Sequence, residues 1–433
     1  MGLSAIIVAA ITLAAPSDAA VRADWAAHNN DPAIRYLTLD HLPAGRREKW
    51  EKIIAFVVPS ASRGDNIDRE LPVRVGESNA YRIDLDQLLW AAGDFNKVLE
   101  RYPYAKNDPA YPVLTVRGDW LVADLADARV SQSYLTLVFG SENIPKTDAD
   151  FLKFFGVADD QQAGQRFALV EGASQVNLQG TRYMERFNAR GQSLWRTKDA
   201  DRTGKGTDPI EALDGNFKHN GRELIAMSTA VSPSHGVNGL KMFFMLANGD
   251  GKKVDVAPAG LVEDHKRTLG SAEIVNASSC TSCHEGGFNF PQVNLLRESL
   301  KVGELLYVYD KKAQADIEAQ HLGDISTRMA RDNQDYAAFV TACNGLGPVE
   351  NAGLYRQGLA DYRADLTLQR AANELHCAAD DLRLALGYAS ANHIVLPSRI
   401  AGLAHGLKAP RSIFEDYYLE VKAMLDVWKA AKK

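Results

Sequence analysis

The sequence predicts an α+β fold with a mixed N-terminal lobe, a central antiparallel β-sheet and a helical C-terminal lobe. Helix-like and strand-like spacings of apolar residues alternate over residues 20–160, turn signals recur over residues 161–270, and helical spacing dominates residues 271–433. The chain has 433 residues, of which 46% are hydrophobic and 24% are charged. This composition is ordinary for a globular protein, so it excludes a coiled coil, a collagen and a disordered chain.

The N-terminus has features of a secretory signal peptide covering residues 1–19. An apolar run without charges, residues 3–15, precedes small residues at Ser17 and Ala19, the spacing that signal peptidase reads. The basic residue expected before the run is missing, so a retained anchor and a buried helix stay open as alternatives. We expect export to the periplasm or another space outside the cytoplasm, with no membrane-spanning segment beyond the signal.

Local patterns in the N-terminal lobe predict individual elements. Apolar spacing favours helices over residues 46–57 and 88–102, and alternation favours a strand over residues 81–85. Thr147, with Asp150 three residues later, is typical of the N-cap of a short helix. These elements carry no chemistry that the sequence identifies.

Three turn signals predict one antiparallel sheet in the central region. Residues 188–191, Asn220-Gly221 and residues 248–251 each separate two strand-like runs. Tight turns of this kind join neighbouring antiparallel strands, so the consecutive runs are expected to pair.

The C-terminal lobe shows helical spacing almost to its end. Residues 366–386 predict two short helices with a turn near Cys377. Ser412 and Glu415 form a capping-box pattern, which we expect to begin the last helix. The predicted apolar face of that helix contains Phe414, Tyr417, Val421, Met424, Leu425 and Trp428.

The segment Cys280-Thr281-Ser282-Cys283-His284 has the spacing of a c-type haem attachment motif. On a helical turn, thiols three residues apart face the same side, so both can form thioethers to the vinyl groups of one porphyrin. His284 then reaches the iron as its proximal ligand. We therefore expect one covalent haem c, bound through Cys280, Cys283 and His284, in the helical lobe over residues 271–433.

The residues after the motif also suit a haem site. Residues 285–291 contain two glycines, which allow the backbone to approach a macrocycle closely, and two phenylalanines, which can shield it from water. Low dielectric around the iron raises its potential.

Other uses of the same cysteines fit the surrounding sequence less well. A thioredoxin-type pair lies between a strand and a helix of a βαβ unit, whereas an antiparallel region precedes Cys280. A zinc site needs a second pair of ligands at suitable spacing, and none follows. A disulfide between Cys280 and Cys283 would be strained. Export also favours haem, since haem is attached covalently outside the cytoplasm.

The motif resembles that of the c-type cytochromes. A longer stretch is similar to large exported single-haem proteins of environmental bacteria that are described only as cytochrome c domain-containing. The similar pieces are residues 217–225, 246–249, 257–258, 262–264 and 275–280. Residues 236–239 depart from the pattern as an insertion. The resemblance implies the architecture and the haem, and it assigns no substrate.

The favoured function is one-electron transfer with a redox partner protein. A covalently bound, axially ligated haem exchanges electrons with a docked partner and needs no substrate pocket for this. The alternative is a haem-dependent enzyme of the peroxidase kind, or a gas or redox sensor, with an open sixth iron position. The net charge of −6 offers no broad positive field for phosphates, so we expect no nucleic acid partner.

The motif does not determine the second axial ligand. Met329 lies 45 residues after His284, a separation that small c-type cytochromes also use for their distal methionine. His321 and His265 are alternatives, and an open or water-bound iron is another. Met329 is therefore the candidate distal ligand.

Cys343 and Cys377 remain once the motif is used. In an oxidising compartment the simplest expectation is a disulfide between them, which would contribute about 3 to 4 kcal/mol through loop closure. Two buried thiols are the alternative.

Overall fold

The N-terminal lobe is built on a four-stranded sheet, the central region on a six-stranded sheet and the C-terminal region on helices, so the predicted α+β class is confirmed. The computed structural model describes residues 16–62, 71–105, 115–126, 132–157, 165–169, 182–189, 192–200, 219–228, 231–232, 236–237, 242–257, 263, 272–274, 279–280, 284, 286–288, 311, 315 and 325–432. The apolar run of the predicted signal peptide lies outside these residues.

Helices and short strands alternate in the N-terminal lobe. They are α1 (Pro16–Ala27), β1 (Ile34–Thr38), α2 (Ala44–Ser60), β2 (Val73–Arg74), β3 (Ala80–Asp84), α3 (Ala92–Leu99), β4 (Thr115–Arg117), α4 (Gly118–Ala126), α5 (Gln132–Phe139) and α6 (Asp148–Phe154). The sheet order is β2-β3-β1-β4, with β1 antiparallel to β3 and parallel to β4.

Most local predictions for this lobe are confirmed. The helix predicted over residues 46–57 is α2, and the strand predicted over residues 81–85 is β3. Thr147 caps α6, because its side chain accepts the backbone N–H of Asp150. The helix predicted over residues 88–102 is shorter and corresponds to α3.

Helix α1 runs through the predicted cleavage point after Ala19. Ser17 donates a hydrogen bond to Asp40 (2.8 Å) before that point. After it, Asp24 accepts a hydrogen bond from Arg82 (2.8 Å). Cleavage would remove the first turn of α1 and retain the contact of Asp24 with the sheet, so the signal peptide stays a prediction.

The central sheet has the strand order β12-β11-β8-β7-β6-β5. Its strands are β5 (Gln165–Leu169), β6 (Arg182–Ala189), β7 (Gln192–Ala200), β8 (His219–Ser228), β11 (Met242–Asn248) and β12 (Lys253–Val254), while β9 (Val231–Ser232) pairs with β10 (Gly236–Val237). The hairpins predicted at residues 188–191 and 248–251 are confirmed, because β6 pairs with β7 and β11 pairs with β12.

The turn predicted at Asn220-Gly221 is wrong. Strand β8 runs through both residues, and Gly221 pairs with Asn248 of β11 on one side and with Asp199 of β7 on the other. A central strand satisfies its N–H and C=O groups with both neighbours. This pairing outweighs the local preference of Asn-Gly for a turn.

Helices make up the C-terminal region. They are α7 (Ile325–Asn344), α8 (Pro348–Arg363), α9 (Leu368–Glu374), α10 (Ala379–Ala391), α11 (Ser398–Ala401), a 3-10 helix (Gly402–His405), α12 (Arg411–Asp416) and α13 (Tyr418–Ala431). The predicted helix pair over residues 366–386 is confirmed as α9 and α10. Within the described ranges, no helix combines the length and the apolar character needed to cross a bilayer.

The end of the chain is not one continuous helix. Helix α12 follows Pro410 without a side-chain cap, so Ser412 lies inside it and the predicted capping box is wrong. The chain then breaks at Tyr417 before α13 begins. The break leaves Tyr417 39% exposed and buries Tyr418 instead, which corrects the predicted apolar face.

A buried ionic network joins the N-terminal lobe to the C-terminal helices. Glu374, at the end of α9, accepts hydrogen bonds from Arg117 of β4 (2.9 Å) and Arg411 of α12 (2.7 Å). Arg117 also bonds to Asp119 (3.1 Å), which in turn lies 2.8 Å from the imidazole of His41. All five side chains are at most 7% exposed.

Charges within this network compensate one another. Burial is the largest single influence and raises the pKa of Asp119 and of Glu374, but Arg117 and the other partners of each carboxyl together outweigh it, so both carboxyls have a pKa below the usual value. Burial, and next the charge of Arg117, lowers the pKa of His41. The imidazole is therefore neutral at pH 7 and donates its Nε2 hydrogen to the Asp119 carboxylate.

The predicted disulfide between Cys343 and Cys377 is not formed in the structure. Cys343 is a buried thiol that donates to the backbone carbonyl of Phe339 (3.4 Å). Cys377 is also a thiol, and burial raises its pKa to about 11. Helix α7, which carries Cys343, packs against α2 and β8, whereas α9, just before Cys377, packs against α10. The two cysteines thus lie on, or next to, helices that have different neighbours.

Candidate functional site

Two described residues of the predicted haem attachment motif, Cys280 and His284, are joined by a backbone hydrogen bond. The backbone N–H of His284 donates to the carbonyl of Cys280 at 2.9 Å, which is an α-helical hydrogen bond. Cys280 itself is only 3% exposed. This hydrogen bond brings Cys280 and His284 together, while Cys283 and the alternative ligands His265 and His321 lie outside the described residues.

A hydrogen bond determines the tautomer of His284. Its Nδ1 atom lies 3.1 Å from the backbone oxygen of Gly287. A carbonyl oxygen can only accept, so Nδ1 carries a hydrogen, and in the neutral imidazole the lone pair is on Nε2. Metal-ligating histidines commonly donate their other ring N–H to a carbonyl in this way. In its neutral form His284 therefore has Nε2 as the nitrogen that can bind a metal.

Aromatic side chains of the central sheet and of the loop after the motif pack near His284. The Phe244 ring of β11 lies 5.5 Å from the imidazole, centroid to centroid. Phe288 stands edge-on to His284 at 6.3 Å and packs 5.1 Å from Trp195 of β7. The three aromatic residues are at most 4% exposed, so they give His284 apolar surroundings of low dielectric.

Asn333 of α7 forms two hydrogen bonds with the backbone of Phe288, just after the motif. Its Oδ1 accepts the backbone N–H of Phe288 (2.7 Å), and its Nδ2 donates to the Phe288 carbonyl (3.0 Å). Gly287 makes this approach possible: it has φ +101°, and an added Cβ would overlap Oδ1 and lie 2.7 Å from Cγ of Asn333. The loop after His284 is thus tied to one face of α7.

The next residue along α7 toward its N-terminus, Asp332, ties the helix to the central sheet. Its carboxylate accepts hydrogen bonds from Trp195 Nε1 (2.8 Å), Ser193 Oγ (2.7 Å) and Arg186 Nη2 (3.0 Å). Asp332 is 2% exposed. Because Trp195 packs on Phe288, the helix, the sheet and the loop after the motif form one connected unit.

Met329 lies on the same helix, four residues before Asn333. Residues four apart lie on the same face of a helix, so Met329 shares the face that contacts the His284 loop. Its side chain is 3% exposed. The structure thus brings the candidate distal ligand onto the element that holds the loop.

Sequence reasoning identified the motif and missed Asn333 and Asp332. A polar residue within a helix carries no periodic signal for a contact made 45 residues away. The one local clue was Gly287, which the sequence assigned to close approach of the backbone. In the structure, that glycine accommodates the side chain of Asn333.

Where the structure describes the chain, no group of three or more His, Cys, Asp and Glu side chains is arranged to hold a metal ion. A c-type haem does not need such a group, because its iron takes axial ligands from single side chains. Comparison with protein-family models, curated proteins and solved structures finds nothing that matches the chain.

Proposed function

We propose that the chain is an exported mono-haem c-type cytochrome that transfers one electron at a time. Haem c would be bound covalently through Cys280 and Cys283, with His284 as the proximal iron ligand. The observation that carries this proposal is the 3.1 Å contact of His284 Nδ1 with the Gly287 carbonyl: it requires a hydrogen on Nδ1, so the lone pair of the neutral imidazole is on Nε2, the atom that iron would bind.

The residues around His284 fit the group. The backbone N–H of His284 donates to the carbonyl of Cys280, so the two residues are close enough to bind one haem. Phe244, Phe288 and Trp195 provide an apolar environment that limits access of water. When bound, the haem iron would supply the one-electron couple, and the protein would set its potential through the axial ligands and the polarity of their surroundings.

Electron transfer is the function we favour over an enzyme or sensor because Met329 is available as a second ligand. It is buried and lies on α7, the helix that also holds the loop after the motif through Asn333. A thioether ligand would complete the axial set and stabilise ferrous iron. We further propose a periplasmic or otherwise exported location and a redox partner protein.

Replacement of Met329 by alanine tests this function. We expect the reduced wild-type protein to show no spectral change with carbon monoxide, because both axial positions are occupied. The M329A protein should bind carbon monoxide, lose the weak sulfur-to-iron band of the oxidised form and have a lower reduction potential. Absorption spectroscopy with and without carbon monoxide, together with redox titration, measures all three effects.

Met424→Ala is the matched control, because Met424 is also a buried methionine but lies on α13. It should keep the wild-type spectrum and potential. If M329A behaves like M424A, the distal ligand is another residue, and H321A and H265A identify it. If the wild-type protein itself binds carbon monoxide, the haem-dependent enzyme or gas sensor becomes the better description.

A further inference from the structure

The peptide group between Gly287 and Phe288 is hydrogen-bonded at both ends. Its carbonyl oxygen accepts the Nδ1–H of His284 (3.1 Å), and its N–H donates to Oδ1 of Asn333 (2.7 Å). A single peptide unit therefore links the imidazole directly to a side chain of α7. Hydrogen bonds in such a chain polarise one another, so each one strengthens the next.

The amide of Asn333 suits this position in a way that other side chains do not. It accepts from the N–H of Phe288 and donates to the carbonyl of the same residue (3.0 Å). An aspartate would accept but could not donate, and an alanine would do neither. The contact also requires glycine at position 287, since a Cβ there would overlap Asn333.

Asn333 is itself held in place. Its neighbour Asp332 is anchored to the central sheet by Trp195 (2.8 Å) and Ser193 (2.7 Å), and Phe288 packs on Trp195. The α7 end of the link is therefore anchored through the buried Asp332, and the loop end through the buried Phe288. A link built in this way transmits a fixed orientation to the imidazole.

We propose that Asn333 is a positioning residue that sets the electron-donating strength of His284 through the Gly287–Phe288 peptide group. This inference rests on the proposed haem function and deepens it. By accepting from the Phe288 N–H, Asn333 makes the Gly287 carbonyl a stronger acceptor, which draws the Nδ1 hydrogen of His284 toward it. The imidazole then becomes a stronger donor at Nε2, stabilises ferric iron and lowers the reduction potential.

Two substitutions at Asn333 should shift the potential in opposite directions. N333A removes the acceptor, so the potential should rise. N333D provides a charged and stronger acceptor, so the potential should fall below that of the wild type. If the substitutions only loosened the loop, the reduction potentials of both variants would shift in the same direction. Shifts of opposite sign therefore distinguish the electronic role of Asn333 from a structural one.

Gln334→Glu is the control for charge, because Gln334 is the exposed neighbour on the same helix. It adds one negative charge near the site without contacting Phe288, and it should lower the potential less than N333D does. If Q334E and N333D lower the potential equally, the effect is electrostatic and the inference is wrong.

A second readout is the NMR signal of the proton on His284 Nδ1. It is detected through the attached nitrogen in the reduced, diamagnetic protein with ¹⁵N-labelled histidine. We expect the Nδ1–H proton to move upfield in N333A and downfield in N333D. Should N333A not accumulate as a folded protein, the comparison of N333D with Q334E decides, because only N333D should lower the potential by more than the added charge does. A haem-containing protein whose potential and Nδ1 signal are unchanged overturns only this inference, whereas a protein without covalent haem overturns the proposed function as well.

Discussion

Replacement of Glu374 by alanine is expected to lower the free energy of unfolding by about 3–5 kcal/mol, because the buried guanidinium groups of Arg117 and Arg411 lose the carboxylate that they share. Both arginines donate to the same Oε2 atom, at 2.9 and 2.7 Å. The contact joins β4 of the N-terminal lobe to α9 and α12, so its loss weakens the junction between the lobes. Urea denaturation followed by far-UV circular dichroism measures the change.

The size of this effect should depend on pH. Because the arginines hold the pKa of Glu374 below its usual value, its contribution is complete above the unfolded pKa of about 4.3 and is lost as the pH falls toward the folded pKa. The difference between wild type and E374A should therefore be full at pH 7 and shrink below pH of about 4.

The control is Glu420→Ala, since Glu420 is an exposed glutamate on α13. It should change the free energy of unfolding by less than about 0.5 kcal/mol. Equal stabilities of E374A and E420A at pH 7 would contradict the network's role, as would a difference from wild type that stays constant down to low pH.

Asp332→Ala should have an effect of similar size at the other junction, between α7 and the central sheet. It leaves the buried Trp195 N–H and Ser193 hydroxyl without their acceptor and Arg186 without its carboxylate, at a cost of about 3–5 kcal/mol. D332N keeps one acceptor oxygen, so it should destabilise the protein less. Urea denaturation of the three proteins checks this order.

Gln334→Ala serves as the control on the same helix, because its side chain is exposed. We expect it to unfold at the same urea concentration as the wild type. A D332A protein that unfolds together with Q334A would show that the carboxylate does not hold α7 against the sheet.

The architecture follows from local patterns wherever tertiary contacts agree with them. Periodicity predicted α2 and β3, and the capping residue Thr147 marked the start of α6. The predictions from local sequence are wrong where long-range contacts determine the secondary structure. Gly221 lies in a strand because it has partners on both sides. Local sequence does not contain that information.

The prediction for the last helix is wrong for a related reason. Glu415, which the sequence assigned to a capping box, instead accepts hydrogen bonds from the hydroxyls of Tyr104 (2.9 Å) and Tyr362. Tyr104 lies more than 300 residues earlier in the chain. The helix is interrupted two residues after Glu415, and Tyr418 rather than Tyr417 enters the core.

The sequence likewise identifies only some of the residues that the structure shows to be important. Cys280, Cys283 and His284 are recognisable because the chemistry requires a fixed spacing in one short segment. The roles of Asn333 near the site and of Glu374 in the network between the lobes could not be predicted from the sequence. Isolated polar residues in helices usually face water. Their roles arise only when folding brings distant chain segments within hydrogen-bonding distance.

The intact mass of the exported protein under denaturing conditions tests the central claim most directly. The full chain is expressed in a bacterium that attaches haem to exported proteins, purified and examined by mass spectrometry together with a C280A/C283A variant. We predict the mass of residues 20–433 plus one haem for the wild type, with absorbance that stays with the polypeptide in acidified organic solvent, and the polypeptide mass alone for the variant. A wild-type mass equal to that of the polypeptide alone would contradict covalent haem attachment.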